Sequence, residues 1–149
     1  MARHDRNDYL KTGSTVLLKP TKARSRIMRA IKSRDTRPEL ALRSLAHRLG
    51  YRFRVHRNDL PGKPDVVFPA KRKVIFMHGC FWHSHDCGQG PRVPARNRDY
   101  WKAKLARNRA RDRVVMKSLV KLGWKAIVFW ECELQDLVHV ASKLRRFLR

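Results

Sequence analysis

All three cysteines of this chain can be drawn around one short stretch, and that limits the folds open to it. Between the apolar run Val74-Ile75-Phe76-Met77 and a long basic segment starting near Asn97 lies His78 to Pro94, rich in Cys, His, Gly and Trp. Cys80, His85 and Cys87 stand there in Cys-x4-His-x-Cys spacing, and Cys132 follows a later apolar run at Trp130-Glu131-Cys132. Three thiolates and one imidazole make an ordinary tetrahedral zinc set, and four protein ligands leave no open position, which implies a structural ion. A fold that satisfies this set must clamp an irregular loop to the end of a distant strand. An odd number of cysteines also speaks against a disulfide framework. The plainer alternative is a buried, inert Cys132 beside a loop carrying only surface histidines.

The pattern along the chain predicts one sheet flanked by helices. Residues 1–20 are polar, basic and weakly patterned, so they read as a mobile basic arm; residues 21–149 read as one domain. Ile27, Met28 and Ile31 recur at helical spacing in a first helix over Thr21 to Lys32. A second helix is expected from Arg37 to Leu49, with Leu40, Leu42, Leu45, Ala46 and Leu49 turned to the core. Thr36 and Glu39 have the spacing of a capping box, Pro38 suits the first turn, and Gly50 ends the helix. Tyr51, Phe53 and Val55 alternate with polar residues as a half-buried strand. Asp65 to Phe68, Val74 to Met77 and Trp124 to Trp130 are further strands. A long basic helix runs from about Asn97 to Leu122, and an amphipathic helix closes the chain over Leu134 to Leu148. The order α-α-β-β-β-α-β-α gives an α/β or α+β layer fold around a mixed sheet.

Charge narrows the function classes. Lys and Arg number 36 against 12 acidic residues, a formal net charge of +24. Such an excess repels itself in the folded state and suits a densely negative partner. Nucleic acid fits, because each neutralised phosphate releases condensed counterions; an evenly basic solvated surface is the alternative. No apolar run approaches the roughly 20 residues of a membrane span. Met1 to Lys11 lacks the apolar stretch of a signal peptide, so the cytoplasm is the expected compartment and no membrane partner is expected.

Asp65 follows Pro-Gly-Lys-Pro and opens a strand, where a carboxylate can project toward a bound cation. Phosphodiester cleavage needs such a cation, and carboxylates are the ligands magnesium prefers. With His85 given to zinc, His78 and His83 remain, and either imidazole can serve as general base. Each has a structural alternative: Asp65 as a turn residue, Glu39 as the capping-box partner, His78 as a satisfied histidine at a strand end. Phe81, Trp82, Tyr100 and Trp101 lie among basic residues, where aromatic rings can stack on bases or wedge between base pairs. Trp124, Phe129 and Trp130 are read as core.

Taken together, these residues resemble a known family. Phe76-Met77-His78-Gly79-Cys80-Phe81-Trp82-His83-Ser84-His85-Asp86-Cys87 is similar to the signature of the very short patch repair (Vsr) DNA mismatch endonucleases. The similarity extends to Met28-Arg29-Ala30-Ile31, Arg34-Asp35-Thr36, Leu60 through Asp65, Val93-Pro94-Ala95-Arg96, Asn108 with Arg111-Asp112-Arg113, and Leu122-Gly123-Trp124 through Cys132. The resemblance implies a single-domain fold related to type II restriction endonucleases. It implies nicking of one strand on the 5′ side of the thymine in a T:G mismatch left by deamination of 5-methylcytosine. It implies that Asp65 holds magnesium with the Met77 carbonyl, and that His83 acts on the attacking water or the phosphate with Glu39 as its partner. It implies that His78 assists, held by Asp112. Cys80, His85, Cys87 and Cys132 would bind structural zinc, and Phe81, Trp82 and Trp101 would enter the DNA stack. Met77 stands where the family commonly has Thr, and Ser84 and Asp86 stand where it often has histidines.

The expected partner is double-stranded DNA with a T:G mismatch, with other mismatch-repair proteins as further candidates. One active site suffices to nick one strand, so a monomer is expected. Two rival readings stay open on sequence grounds: a restriction-like nuclease acting on unmismatched DNA, and a non-catalytic zinc module that only binds nucleic acid.

Overall fold

Alternation along three strands sorts the apolar residues onto two faces and so decides the layers. The computed structural model describes residues 9–12, 15–18, 22, 34–90 and 92–149. Strands β1 (Tyr9–Thr12) and β2 (Thr15–Leu18) pair as an antiparallel hairpin, an element the weak patterning of the arm did not suggest. The helix expected over Thr21 to Lys32 lies outside the described residues, apart from helical Lys22.

Helix α1 spans Arg37–Arg48. Strands β3 (Val66–Phe68), β4 (Lys73–His78) and β5 (Lys125–Trp130) form the sheet, in that order. β3 runs antiparallel to β4, and β4 runs parallel to β5, so the sheet is mixed as expected. A parallel pair needs a long crossover, and helix α2 (Arg98–Lys121) supplies it. Helix α3 (Leu137–Leu148) closes the chain.

Because side chains alternate across a strand, Val66, Phe68, Ile75, Met77 and Phe129 turn to one face. There they pack on Leu42, Leu45 and Ala46 of α1 and on Val140, Leu144 and Leu148 of α3. Val67, Val74 and Phe76 turn to the other face and meet Leu60 and Leu119, the latter on α2. The result is a small α/β domain with one helix layer on each side of the sheet.

Three local expectations change. Leu40 is 51% exposed; it lies two residues, roughly 200° around the helix, from Leu42, and so on the far side of the buried stripe. Among the described residues, the segment around Tyr51–Val55 makes one bridge, Arg54 to Val67, with N–H···O distances of 2.8 and 2.9 Å. His56 at φ 56° ends the extended run. The closing helix begins at Leu137, not Leu134, because Glu131–Gln135 winds into a 3-10 turn. Glu133 pins that turn by accepting the Trp130 N–H at 2.7 Å and pairing with Lys143 at 2.6 Å. Asp136 then caps α3 through the His139 N–H at 2.9 Å.

The parallel pairing places His78 beside Trp130 in register. Whatever follows these two strands therefore arrives at one end of the sheet, the side where open α/β sheets carry their sites.

Candidate active site and metal centre

The loop after β4 is folded by its own backbone. The Gly79 carbonyl accepts the His83 N–H at 3.3 Å, Cys80 accepts His85 at 2.9 Å, and His85 accepts Cys87 at 3.0 Å. Gly90 is held against the carbonyls of His85 and Cys87, where a Cβ would collide with the His85 oxygen. These turns bring Cys80, His85 and Cys87 to face Cys132 from the 3-10 turn after β5, with one ligand atom from each within 4.8 Å of all the others. Cys132 Sγ lies 3.4 Å from His85 Nδ1. A tetrahedral ion with metal–sulfur bonds of about 2.3 Å spaces its sulfurs by about 3.8 Å, so this donor set fits a soft divalent cation. Burial pushes the Cys132 thiol up to about 12, and the adjacent Cys80 and Cys87 push it the same way. Crowded sulfurs of this kind carry thiolate charge together only around a cation.

A second cluster lies in a groove of about 680 Å³ between the start of α1, the β3 entry, the end of β4 and the middle of α2. Asp65 sits just before β3, and its carboxylate accepts the Met77 N–H at 2.7 Å. In an extended strand a residue's N–H and C=O lie on the same edge, so the Met77 carbonyl is also on the Asp65 side. Burial pushes the Asp65 carboxyl up to about 6 against the pull of the Met77 N–H; Glu39 raises it further, while Arg43 and His56 lower it.

His78 and His83 stack face to face, ring centroids 3.7 Å apart at 10°. Burial, reinforced by the like charge of His83, holds His78 down to about 4, which leaves it neutral at pH 7. Asp112 of α2 hydrogen-bonds His83 Nδ1 at 2.6 Å. Asp112 thus belongs to His83, where the resemblance had assigned it to His78. Glu39 lines the same groove, close enough to Asp65 to raise its carboxyl. It is 6% exposed, and its carboxylate accepts the Asp35 N–H at 2.8 Å, the Thr36 hydroxyl at 2.9 Å and Arg43 at 3.3 Å. The capping role is therefore the one its contacts describe, and the carboxylate beside His83 is that of Asp112.

The aromatic residues gather where the loop meets α2. Phe81 and Trp82 are half-buried, with ring centroids 5.1 Å apart, and Trp101 is packed behind them at 5.6 and 6.0 Å. Trp101 is only 7% exposed, so it is the floor of this cluster rather than a projecting ring. Tyr100 packs edge-on against Trp101, and Lys104 lies 5.2 Å from the ring centres of both Trp82 and Trp101. Asn108 fixes the loop by donating to the Trp82 carbonyl at 3.0 Å.

Two residues at the site escaped sequence reasoning. Arg43 donates to the Asp65 carbonyl at 3.2 Å and pairs with Asp35 at 2.5 Å, tying α1 to the strand entry. Its polar position on a helix gave no sign of this. Trp130, read as core, lies between the two clusters. It stacks on His85 with centroids 4.1 Å apart at 8° and meets His78 edge-on at 5.4 Å.

A carboxylate and an imidazole pair in a groove rimmed by Arg34, Arg43, Lys63 and Arg111, on a chain of net charge +24, have the parts of a nuclease centre. Comparison with known proteins fixes the class as a DNA endonuclease. The family model described as DNA mismatch endonuclease Vsr matches residues 17–89. The chain is 46% identical over 112 residues to the DNA mismatch endonuclease Vsr of Escherichia coli (strain K12), covering 75% of this chain and 71% of that protein. It is 51% identical over 122 residues to the type II nicking enzyme V.XorIIP of Xanthomonas oryzae pv. oryzae, covering 82% and 89%. The type II nicking enzyme V.NaeI of Lentzea aerocolonigenes is 45% identical over 121 residues, covering 77% and 72%. This chain belongs to the Vsr family of DNA mismatch endonucleases.

Proposed function

We propose that the protein nicks one strand of duplex DNA on the 5′ side of the thymine in a T:G mismatch, as a monomer, and so opens a very short repair patch. The observation that carries this reading is the convergence of Asp65 with the stacked His78–His83 pair in one basic groove. Residues 21–149 would form the catalytic domain and residues 1–20 an arm outside it. The antiparallel pair followed by a parallel strand, with helices on both faces, supports a restriction-endonuclease type of fold.

Asp65 and the Met77 carbonyl would hold magnesium, which when bound supplies charge to offset the scissile phosphate and to make water a better nucleophile. Asp65 would bind as the carboxylate, with the Met77 N–H keeping one of its oxygens fixed. His83 would take a proton from the attacking water, and Asp112 on Nδ1 would orient the ring and stabilise it when protonated. His78, neutral at pH 7, would face the phosphate without adding a competing charge. Glu39 and Arg43 would hold the groove's wall at the start of α1. Cys80, His85, Cys87 and Cys132 would carry structural zinc, which keeps the Phe81–Trp82 turn in shape. That turn, with Trp101 behind it, would enter the stack beside the mismatch.

The test is a duplex with a single T:G pair set against its T:A version, with magnesium, followed by mapping of the incision. Mismatch-dependent nicking 5′ of the thymine is the expected result. Cleavage of perfect duplexes at a fixed sequence would instead select a restriction-like nuclease. Binding with no cleavage of either duplex would leave only a basic zinc module.

A further inference from the structure

The indole of Trp130 separates the two clusters and touches both. It ends β5, in register with His78 at the end of β4, and the next residue but one is the thiol Cys132. One face of the ring lies flat on His85, 4.1 Å away at 8°. The His78 ring meets it edge-on, at 5.4 Å and 76°, and the His83 ring at 6.4 Å and 69°. Among the described residues, His83 has Asp112 to orient it, whereas the His78 ring is held by aromatic contacts: His83, Trp130 and, at 6.0 Å, Phe76. A ring with no hydrogen bond to fix it takes its angle from the surfaces packed on it, and edge-to-face contacts prefer a narrow range of geometry. His85, in turn, is oriented by the sulfur cluster.

We infer that Trp130 is a positioning residue that carries the rigidity of the sulfur–imidazole cluster to the catalytic imidazoles by fixing the angle of His78. The inference rests on the nuclease reading of the groove. Trp130 touches no substrate; it sets how His78 faces the phosphate. Its aromatic plane, rather than its bulk, is the property that matters. A flat ring can lie on His85 and still present a face to His78, and an aliphatic chain of similar volume cannot.

The experiment compares Trp130→Phe and Trp130→Leu with wild type on the T:G duplex. It records kcat and KM separately, with bound zinc per chain and the ring-proton resonances of His78 as further readouts. Trp130→Leu should retain zinc and an unchanged KM while kcat falls on the order of ten- to a hundredfold, the scale of a small misplacement of a reacting group. The His78 resonances should move or broaden, and Trp130→Phe should recover most of the rate. Wild-type kcat in a zinc-loaded Trp130→Leu variant would overturn the inference and reduce Trp130 to packing. Loss of zinc from both variants would also overturn it, by making the residue part of the metal shell. Should Trp130→Leu fail to fold, Trp130→Met takes its place and is read in the same way: a lowered kcat with zinc retained and shifted His78 resonances supports positioning by the plane, and wild-type kcat refutes it. Failure of wild type to nick the T:G duplex would remove the nuclease reading and this inference with it, whereas nicking by wild type and equally by zinc-loaded Trp130→Leu would remove this inference alone.

Discussion

The same residue type does different work in two places scarcely one indole apart. At the sulfur cluster the ligand atoms of Cys80, His85, Cys87 and Cys132 turn inward on one another within 4.8 Å, and His85 is pinned between a thiol and an indole. In the groove, Asp65, His78 and His83 turn toward open space, each steadied from behind by Met77, Trp130 or Asp112. A closed donor set has no room for a reactant and can only hold shape. An open set braced from the rear can meet one. The chemistry of a histidine here is set by what stands behind it.

The contrast breaks most sharply at Asp65. Asp65→Ala should lower nicking by about 10³-fold or more, the scale seen when an essential group is removed from a reacting centre. Mismatch binding in a gel-shift assay and the thermal transition should persist; unfolding would instead make Asp65 a structural residue. At the closed cluster the loss should fall on stability. Cys132→Ser, or removal of zinc by a chelator, should cost on the order of 5 kcal/mol, since binding energy at a structural metal site is folding energy. Calorimetry with metal analysis would read it, and an unchanged transition would mean the sulfurs do not carry the fold. Asp112→Asn should cost about 10²-fold in kcat with KM near normal, because the bond on His83 Nδ1 orients a base that contributes about 10² to 10⁴. Equal losses in kcat and binding would place Asp112 in DNA recognition instead.

The smallest effect concerns pH. Asp65 has its pKa raised from 3.8 to about 6 by burial. The folded protein therefore binds more protons than the unfolded chain between these values. The associated stability is fully present below about 3.8 and is lost as pH rises through about 6. Without magnesium, Asp65→Asn should be more stable than wild type, and the gap should widen by about 1 kcal/mol between pH 5 and pH 7.5. Magnesium should narrow it again by rewarding the charged carboxylate. A gap that shrinks as pH rises would show that Asp65 is not held in a desolvated place.

Local sequence marks were a good guide where the physics is local. The Thr36–Glu39 cap, the Gly123 stop after α2 and the apolar runs of β4 and β5 were each legible within a few residues, because capping and turn chemistry act at that range. Leu40 was misread since apolar identity does not give helical phase without knowing which face is covered. The Tyr51–Val55 alternation was genuine but produced one bridge, because its neighbour β3 is three residues long and His56 turns the chain away.

What the sequence determined by itself is the chemistry available: three sulfurs and an imidazole at metal spacing, a carboxylate at a strand entry, two spare imidazoles and a large positive charge. Only the tertiary structure decided who serves whom. Asp112 reaches His83 across 29 positions and Trp130 separates His85 from His78. Arg43 ties Asp65 to α1 across 22. Ligand spacing along a loop is limited by covalent reach and so is written in the chain, whereas the partner behind each imidazole depends on how helices and strands pack, which no single segment encodes.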